Sequence, residues 1–591
     1  MRTPVLEADA FSKETDRNAD AAVERERGDR TILSPSEHSR SSKKRSILHS
    51  RFHIKLIATY LTPILLLPLF VFHNTPKTRC AYVMVLVFVN WVTRTLPLGV
   101  TALMPLLYLP ALRIISYDQV VGMYMNNTVL LTLAAIMMSI AIETTNLHTR
   151  IALWVLLQCG QSLRNIMAGY TVATFLITLL LKNSATLDIM VPVVDATVHE
   201  IHYIYMKGMY TQRFGADAKK RPSVSYIAKA LNLDDIQMRQ ITTRFIKIRK
   251  VLLIMVAYTA SLGSVGTLSG TITNYVTKMI VTSRFPKVDS VTFLSWATAF
   301  LPVAFFEVLM AFIVLYFMHM RRLAIDFKKE AVHDAFLVKY RSLGKITTAE
   351  KVVVVVLAVV FFLWSTRKAV FFKGWAKWLH LSAVDDTSVA FMAVAVLFAV
   401  PMSNDNVQKR ILSWSVVKHK MAWGMLLTFG GGLALGVASE ITQLSAEFVV
   451  VIESLNIRTP LQMQVLISLG AATLTEFTPN DAAATMLLPV VISLACKLRL
   501  NPLFLVFPVC LSVTQACIFP ASSSVIAIIC DEGHVTTKDL LIPGIIVKLF
   551  CQIVNLAFIN TVGDYVFNLH TFPSWASACF SNTPSIDPIP H

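Results

Sequence analysis

The feature that most constrains the fold of this chain is a series of apolar runs long enough to cross a lipid bilayer. Their centres include residues 57–72, 129–142, 252–262, 352–364 and 389–400. Only helices and closed barrels satisfy every backbone hydrogen bond in lipid, and continuous apolar runs favour helices over the alternating strands of a barrel. Since a transmembrane helix needs roughly 17–25 apolar residues, the sequence predicts an all-α integral membrane protein with about 11 transmembrane helices.

Composition and charge agree with this class. Charged residues make up 15% of the 591 positions and hydrophobic residues 55%, whereas a soluble protein carries about 25% charged residues. The net charge is +18, but the basic residues are concentrated near 43–55, 207–250, 321–351 and 409–420. Such clusters mark cytosolic loops, so they do not indicate a nucleic-acid partner. We expect a multi-pass protein of the plasma membrane with a cytosolic N terminus and an external C terminus.

The first 52 residues are polar and rich in serine, without the apolar segment of a signal peptide, which predicts a disordered cytosolic tail. The eight cysteines lie mostly in apolar segments, and none forms a CxxC pair. We therefore expect buried thiols, with neither a disulfide framework nor a metal site. No organic cofactor is indicated.

Two apolar segments, 166–198 and 461–498, are interrupted at their centres, so that each half is too short to cross the bilayer. The first reads KNSATLDIMVP from Lys182, and the second reads PNDAAATMLLP from Pro479. Asn480 lies 297 residues after Asn183, and each segment precedes a second interrupted one, 250–283 and 502–530. Paired interruptions of this kind predict an inverted repeat with two re-entrant hairpins and a transporter site between them.

These patterns divide the chain into six parts. They are a cytosolic tail (1–52), scaffold helices of the first repeat (53–160), the first hairpin and broken helix (161–320, with a cytosolic loop at 199–250), scaffold helices of the second repeat (321–455), the second hairpin and broken helix (456–565), and a C-terminal tail (566–591).

A helix that begins inside the membrane directs unpaired N–H groups and the positive end of its dipole at the interruption. Anions can bind there without a full counter-charge. Small polar side chains at the two interruptions add hydrogen-bonding groups. The chain carries no HExxH, no GxSxG and no paired carboxylates within a span, so an enzyme is the least favoured class.

Several motifs resemble the divalent-anion:sodium symporter family, whose members carry citrate, succinate and sulfate. The resemblance extends over residues 55–565 and rests on motifs that include WVTRTLPLG (91–99), SLGSVGTLSGTITN (261–274), TFGGGLALG (428–436) and TEFTPND (475–481). It implies a scaffold domain and a mobile transport domain that moves as an elevator, usually in a homodimer. Small carboxylate anions are the implied substrates, and sodium is the implied coupling ion.

The resemblance also implies site residues. Those expected to bind substrate are Asn183, Ser184, Thr186, Asn480, Asp481 and Ala482; those expected in ion coupling are Lys182, Thr178, Gly270, Asn274, Thr475 and Thr478. The chain departs from the family at the tips of both hairpins, residues 182–186 (the first tip) and 478–482 (the second tip). Lys182 and Pro479 replace serines there, and Asp481 follows Asn480. The family's Pro-Pro-Asn is replaced at 524–526.

Three roles remain open for Lys182. Its ammonium can occupy the place of a sodium ion, pair with Asp188 or Asp481, or bind a substrate carboxylate directly. Asp481 can take part in proton coupling or merely cap the following helix. The leading interpretation is a carboxylate transporter with weakened or absent sodium coupling. The alternatives are a conventional sodium-coupled carboxylate or sulfate symporter and a transport-inactive relative with a regulatory or binding role.

Overall fold

The computed structural model describes residues 61–69, 71, 74–93, 95–159, 162–214, 224–323, 329–367, 374–381, 384–402, 409–444, 447, 459–520 and 522–579. The predicted N-terminal tail, most of the first predicted span and residues 580–591 lie outside this part. The chain divides into a unit ending at Leu65, of which only the helical residues 61–65 are described, and a unit beginning at Leu66, to which everything below refers.

The second unit is built from helices, and its described residues contain no strand beyond one isolated bridge between Pro401 and Arg410. The α-helices are α1 (Pro76–Thr93), α2 (Leu98–Thr101), α3 (Met104–Ala111), α4 (Tyr117–Tyr124), α5 (Asn127–Thr144), α6 (Leu147–Gln158), α7 (Leu163–Leu180), α8 (Asn183–Phe214), α9 (Val224–Ala230), α10 (Asp235–Gly263), α11 (Ile272–Arg284), α12 (Phe293–Met318), α13 (Lys329–Ser342), α14 (Thr348–Arg367), α15 (Trp375–Trp378), α16 (Asp386–Ala399), α17 (Trp414–Lys420), α18 (Trp423–Ile441), α19 (Pro460–Leu474), α20 (Asn480–Lys497), α21 (Pro502–Thr514), α22 (Ser524–Asp531), α23 (Thr537–Phe558) and α24 (Asp564–Phe567).

Seven helical stretches in the described residues are long and apolar enough to cross a membrane. They are 117–144, 163–180, 293–318, 348–367, 423–441, 480–497 and 537–567. Helix α12 shows how such a helix is placed, because it buries Trp296 and Phe300 while Phe305 and Phe317 are more than half exposed. Exposed aromatic side chains on an apolar helix are typical of a lipid-facing surface. The chain is an all-helical, multi-pass membrane protein.

The first interrupted segment forms two helices, α7 and α8, separated by Leu181 and Lys182. Helix α8 begins at Asn183, inside the predicted interruption at 182–186. It then continues as one 32-residue helix to Phe214, past the internal Pro192. Helices α8 and α10 both extend into the predicted cytosolic loop at 199–250, so much of its described part is helical.

The second interrupted segment has the same form. Helix α19 ends at Leu474, a non-helical stretch follows, and α20 begins at Asn480 with Pro479 as its N-cap residue. Proline suits the start of a helix because it has no N–H to leave unpaired and its fixed φ matches the helix. Both helices α8 and α20 therefore begin at an asparagine.

The other two predicted interruptions are also present. A 3-10 turn at Ser264–Gly266 and residues 267–271 separate α10 from α11. Residues 515–523 separate α21 from α22. At the first of these, a Cβ atom on Gly270 would lie 2.3 Å from the Ser264 carbonyl oxygen, so the chain can fold back on itself only with glycine there.

Helix α18 carries the glycines of TFGGGLALG and packs against two different neighbours. Cβ atoms on Gly430 and Gly431 would overlap Tyr124 of α4 and Ala102. Cβ atoms on Gly432 and Gly436 would lie 2.2 Å from Thr485 and 2.7 Å from Pro489 of α20. The absence of side chains lets α18 approach both neighbours at backbone distance.

One cysteine prediction was wrong. Cys496, at the end of α20, forms a disulfide with Cys579. The pairing could not be recognised from sequence because the two cysteines are 83 residues apart and only the fold brings them together. The other six cysteines are free thiols.

Candidate functional site

The four chain interruptions meet at one cavity of about 720 Å³, within the range of small-molecule sites, roughly 300–1,000 Å³. Its walls come from every interruption and from two other segments. The lining residues are Thr95–Leu98, Lys182, Asn183, Thr271, Ile272, Met425, Pro479–Asp481, Ser522–Ser524, Ala527, Ile528, Asp531 and Glu532.

The first residues of α8 and α20 are held in the same way. The Asn183 backbone N–H donates to the Gly270 carbonyl at 3.3 Å, and the Asn480 backbone N–H donates to the Ser522 carbonyl at 3.2 Å. Each helix start is thus bonded to the interruption of the neighbouring broken helix. Both asparagines consequently line the cavity.

The two asparagine side chains differ in their contacts. The Asn183 side-chain oxygen accepts from the Ser184 backbone N–H at 2.8 Å. The amide of Asn480, oriented to satisfy its neighbours, donates to the Thr475 hydroxyl at 2.9 Å, the Val513 carbonyl at 3.2 Å and the Ser522 carbonyl at 3.1 Å. The Asn480 side chain therefore joins α20 to the interruption after α21, whereas the bond of the Asn183 side chain stays next to it in the chain.

Lys182 lines the cavity beside Asn183. Its ammonium lies 2.9 Å from the sulfur of Met425 on α18. Lys182, Asp188 and Asp481 are all in the described part of the chain, and no ion pair within 4.0 Å joins the lysine to either carboxylate. A thioether is only a weak acceptor, so no described residue gives the ammonium a strong hydrogen bond.

Asp481 lines the same cavity and accepts a hydrogen bond from the Thr273 hydroxyl at 3.2 Å. No side-chain hydrogen bond caps the start of α20, so Asp481 bonds to α11 instead of capping its own helix. Asp531 and Glu532 add two exposed carboxylates to the lining. Lys182 is consequently the one basic side chain in the described lining.

Six of the twelve site residues predicted from sequence lie behind the cavity wall or away from it. Thr475 bonds to Asn480 and Val513, and the Gly270 carbonyl accepts from Asn183. Asn274 is fully buried and donates to the Ser264 and Thr267 carbonyls, which fixes the turn after α10. Buried Thr178 has a hydroxyl without a hydrogen-bond partner in the described part of the chain, while the Thr186 and Thr478 hydroxyls bond to backbone carbonyls.

Two further predicted residues also lie outside the lining. Ser184 is partly buried next to Asn183. Ala482 is buried, and its carbonyl accepts from the Thr485 hydroxyl. The structure thus brings Lys182, Asn183, Asn480 and Asp481 together at the cavity.

Sequence reasoning missed a buried ion pair beside the second tip. Glu476 pairs with Lys548 of α23, and both side chains are about nine-tenths buried. The Glu476 carboxylate also accepts the backbone N–H groups of Cys517 at 3.2 Å, Ile518 at 3.2 Å and Phe519 at 3.3 Å. The signal was a single Glu and a single Lys, each inside an apolar segment.

A family described as the sodium:sulfate symporter transmembrane region matches residues 49–569. The chain belongs to this family. The match confirms the resemblance to divalent-anion:sodium symporters, and it makes the protein a transporter and not an enzyme.

Curated members of the family are similar over nearly their whole length. The chain is 29% identical to the Na(+)/citrate cotransporter of Rattus norvegicus, over 89% of this chain and 98% of the relative. It is 30% identical to solute carrier family 13 member 2 of Oryctolagus cuniculus, over 90% and 97%. It is 27% identical to the sodium-dependent low-affinity dicarboxylate transporter 1 of Caenorhabditis elegans, over 85% and 89%.

Proposed function

We propose that this protein is a secondary active transporter that moves dicarboxylate or tricarboxylate anions, such as succinate or citrate, across a membrane. The observation that carries the proposal is the placement of Asn183 and Asn480, each the first residue of a helix, in one cavity with Lys182. Helix starts and an ammonium favour anions. The relatives named for citrate and dicarboxylates support the substrate class.

The proposed binding mode uses both tips. The Asn183 and Asn480 amides, with the polar groups of Ser184, Thr186 and Ala482 behind them, form the substrate side. Lys182 supplies positive charge to a substrate carboxylate, and Asp481 limits the site to substrates that keep their negative charge away from it. The ion side is assigned to Thr178, Gly270, Asn274, Thr475 and Thr478 with Lys182.

We assign the chain the architecture of an inverted repeat with two re-entrant hairpins, a scaffold and an elevator-type transport domain, in a homodimer. The matching bonds at Asn183–Gly270 and Asn480–Ser522 support the repeat. The six-part division given above is kept, with helices α8 and α10 extending into the cytosolic loop at 199–250.

The proposed topology has a cytosolic N terminus and an external C terminus in the plasma membrane. The Cys496–Cys579 disulfide supports an external C terminus because disulfides persist in oxidising compartments. Single cysteines introduced at exposed Thr243 and Lys377 should react with a membrane-impermeant thiol reagent from the cytosolic and the external side, respectively. The opposite pattern would overturn the topology.

Sodium coupling is proposed to be weakened or absent, because the Lys182 ammonium carries the same unit charge as a sodium ion and has no carboxylate partner within 4.0 Å. The relatives are named for sodium coupling, so a conventional sodium symporter is the second candidate. A transport-inactive protein with a regulatory role is the third.

The deciding experiment is uptake of labelled succinate, citrate and sulfate into vesicles that contain the purified protein, with sodium or choline outside. Carboxylate uptake that persists in choline supports the proposal. Uptake that requires sodium supports the second candidate, and no uptake or exchange of any of the three anions supports the third.

A further inference from the structure

Glu307 is a fully buried carboxyl group in the middle of the apolar helix α12. Its eighteen nearest sequence neighbours in that helix include no other charged residue. An ionised carboxylate in such a place is costly unless it is paired, and ionisable side chains inside spans usually mark function. The cavity described above does not include Glu307.

The contacts of Glu307 fit a neutral acid better than a carboxylate. One carboxyl oxygen accepts a hydrogen bond from the Gln515 amide. The other oxygen is buried and has no hydrogen-bond partner among the described residues. Glu476, by contrast, has an ammonium and three backbone N–H groups. The unbonded oxygen of Glu307 can therefore carry a proton, whereas the partners of Glu476 stabilise its ionised form.

The described residues around Glu307 supply no counter-charge. Lys548 of α23 forms an ion pair with Glu476. The one charged residue of helix α7 lies in its first turn, and the charged residues of α14 lie near its ends. The remaining titratable groups nearby are uncharged in ordinary conditions: Cys517, Cys551 and Tyr258, whose hydroxyl donates to the Cys517 carbonyl at 3.1 Å.

One hydrogen bond and the backbone of the interruption at 515–523 link Glu307 to the cavity wall. Gln515 is the first residue of the interruption at 515–523, and Ser522 and Ser523 of the same interruption line the cavity. Two further hydrogen bonds fix the Gln515 side chain. Its oxygen accepts from the Gln552 amide at 2.7 Å, and the Gln552 oxygen accepts from the Ser512 hydroxyl at 3.0 Å. Glu307 is thus bonded to the first residue of the segment whose Ser522 carbonyl accepts from the Asn480 N–H.

We propose that Glu307 is a proton-binding site coupled to the substrate cavity through Gln515, so that a proton accompanies the anion. The proposal rests on the transport function proposed above. One proton binds the free carboxyl oxygen from water on one side of the membrane and leaves to water on the other. The protonated Glu307 carboxyl is neutral and stays buried. Loss of the proton leaves a buried carboxylate, which attracts the Gln515 amide more strongly and so displaces the interruption at 515–523.

The test uses purified protein in vesicles and two assays. Wild type should show succinate uptake that an inward proton gradient, without sodium, accelerates by at least about fivefold, the low end of a typical coupling between two sites. Glu307→Gln mimics the neutral acid and should lose this acceleration while still exchanging internal for external succinate. Glu143→Gln, an acid-to-amide change on a partly exposed residue paired with Lys420, should respond as wild type.

The two assays separate the two proposals. Wild type that exchanges succinate but ignores the proton gradient overturns the inference and leaves the transport function standing, as does a Glu307→Gln variant that keeps the full acceleration. Wild type that exchanges none of the three anions overturns the transport function itself. Should Glu307→Gln fail to insert, a pH indicator inside wild-type vesicles decides: succinate entry without acidification contradicts the proposal.

Discussion

The two tips share a backbone arrangement and differ in charge. At the first, Asn183 bonds to Gly270, and the hydrogen bond of the neighbouring Lys182 ammonium to a described residue goes to a thioether. At the second, Asn480 bonds to Ser522 and the buried acid Glu476 has both an ammonium and backbone donors. Similar helix starts are thus stabilised by opposite means, because hydrogen bonds and an ion pair connect the second tip to the rest of the protein, while the first tip places a charge at the cavity.

The largest effect is expected from removing the asparagine amides. Asn183→Ala and Asn480→Ala should each abolish uptake. The Asn183 amide is assigned to the substrate, and a hydrogen bond to a charged ligand is worth about 1.5–3 kcal/mol, while the Asn480 amide holds the start of α20 in place at the cavity. Asn480→Ala should also lower thermal stability, since Asn480 holds Thr475 and Val513. Gln240→Ala, on the exposed part of α10, is the control. Near-normal uptake by either tip variant would remove the site assignment.

Breaking the ion pair of the second tip comes next. Lys548→Met leaves Glu476 buried without its ammonium, which should cost about 3–5 kcal/mol of folding stability. Thermal unfolding in detergent measures the loss. Adding Glu476→Gln to Lys548→Met should recover part of it, because no unpaired charge then remains. A double variant that is no more stable than Lys548→Met would contradict the role given to the pair.

Glycine positions test the first tip. Gly270→Ala should reduce uptake at least about tenfold, because its Cβ would overlap the Ser264 carbonyl and displace the carbonyl that holds Asn183. Gly470→Ala is the matched control, since a Cβ there meets no atom within 4 Å. Equal uptake by the two variants would show that the position of the first tip does not depend on this close approach.

The smallest and most specific effect is expected at Lys182. Lys182→Ser restores the residue of the family and removes the fixed charge, so the ratio of uptake in sodium to uptake in choline should rise. Wild-type uptake that collapses in choline, or a Lys182→Ser ratio equal to that of wild type, would contradict the sodium-replacing role. Pro479 of the second tip is unchanged in this variant, so a rise in the sodium-to-choline uptake ratio reports on the first tip alone.

The helical class and all four interruptions could be predicted from the sequence. Long apolar runs indicate membrane-spanning helices, and small polar residues or prolines inside those runs indicate the interruptions. The sequence placed Asn183 and Asn480 at the tips, and each lies at the start of a helix. It could not predict that Lys182 would contact Met425, 243 residues away, nor that Thr95–Leu98 would form part of the wall. Such contacts depend on the packing of helices distant in sequence.

The disulfide and Glu307 were missed for the same kind of reason. Spacing carries no information about which cysteines meet across 83 residues. A single Glu in an apolar helix is visible in the sequence, but its lack of a cation is a property of α21 and α23 packed around it.

The glycine face of α18 has a mechanical consequence. Its contacts with α20 repeat every four residues on both helices, Gly432 against Thr485 and Gly436 against Pro489. A displacement of α20 by one helical turn, about 5.4 Å, would therefore bring Thr485 opposite Gly436 and recreate a contact of the same kind. The glycines at 432 and 436 thus give α20 the same close approach at two positions one turn apart along α18.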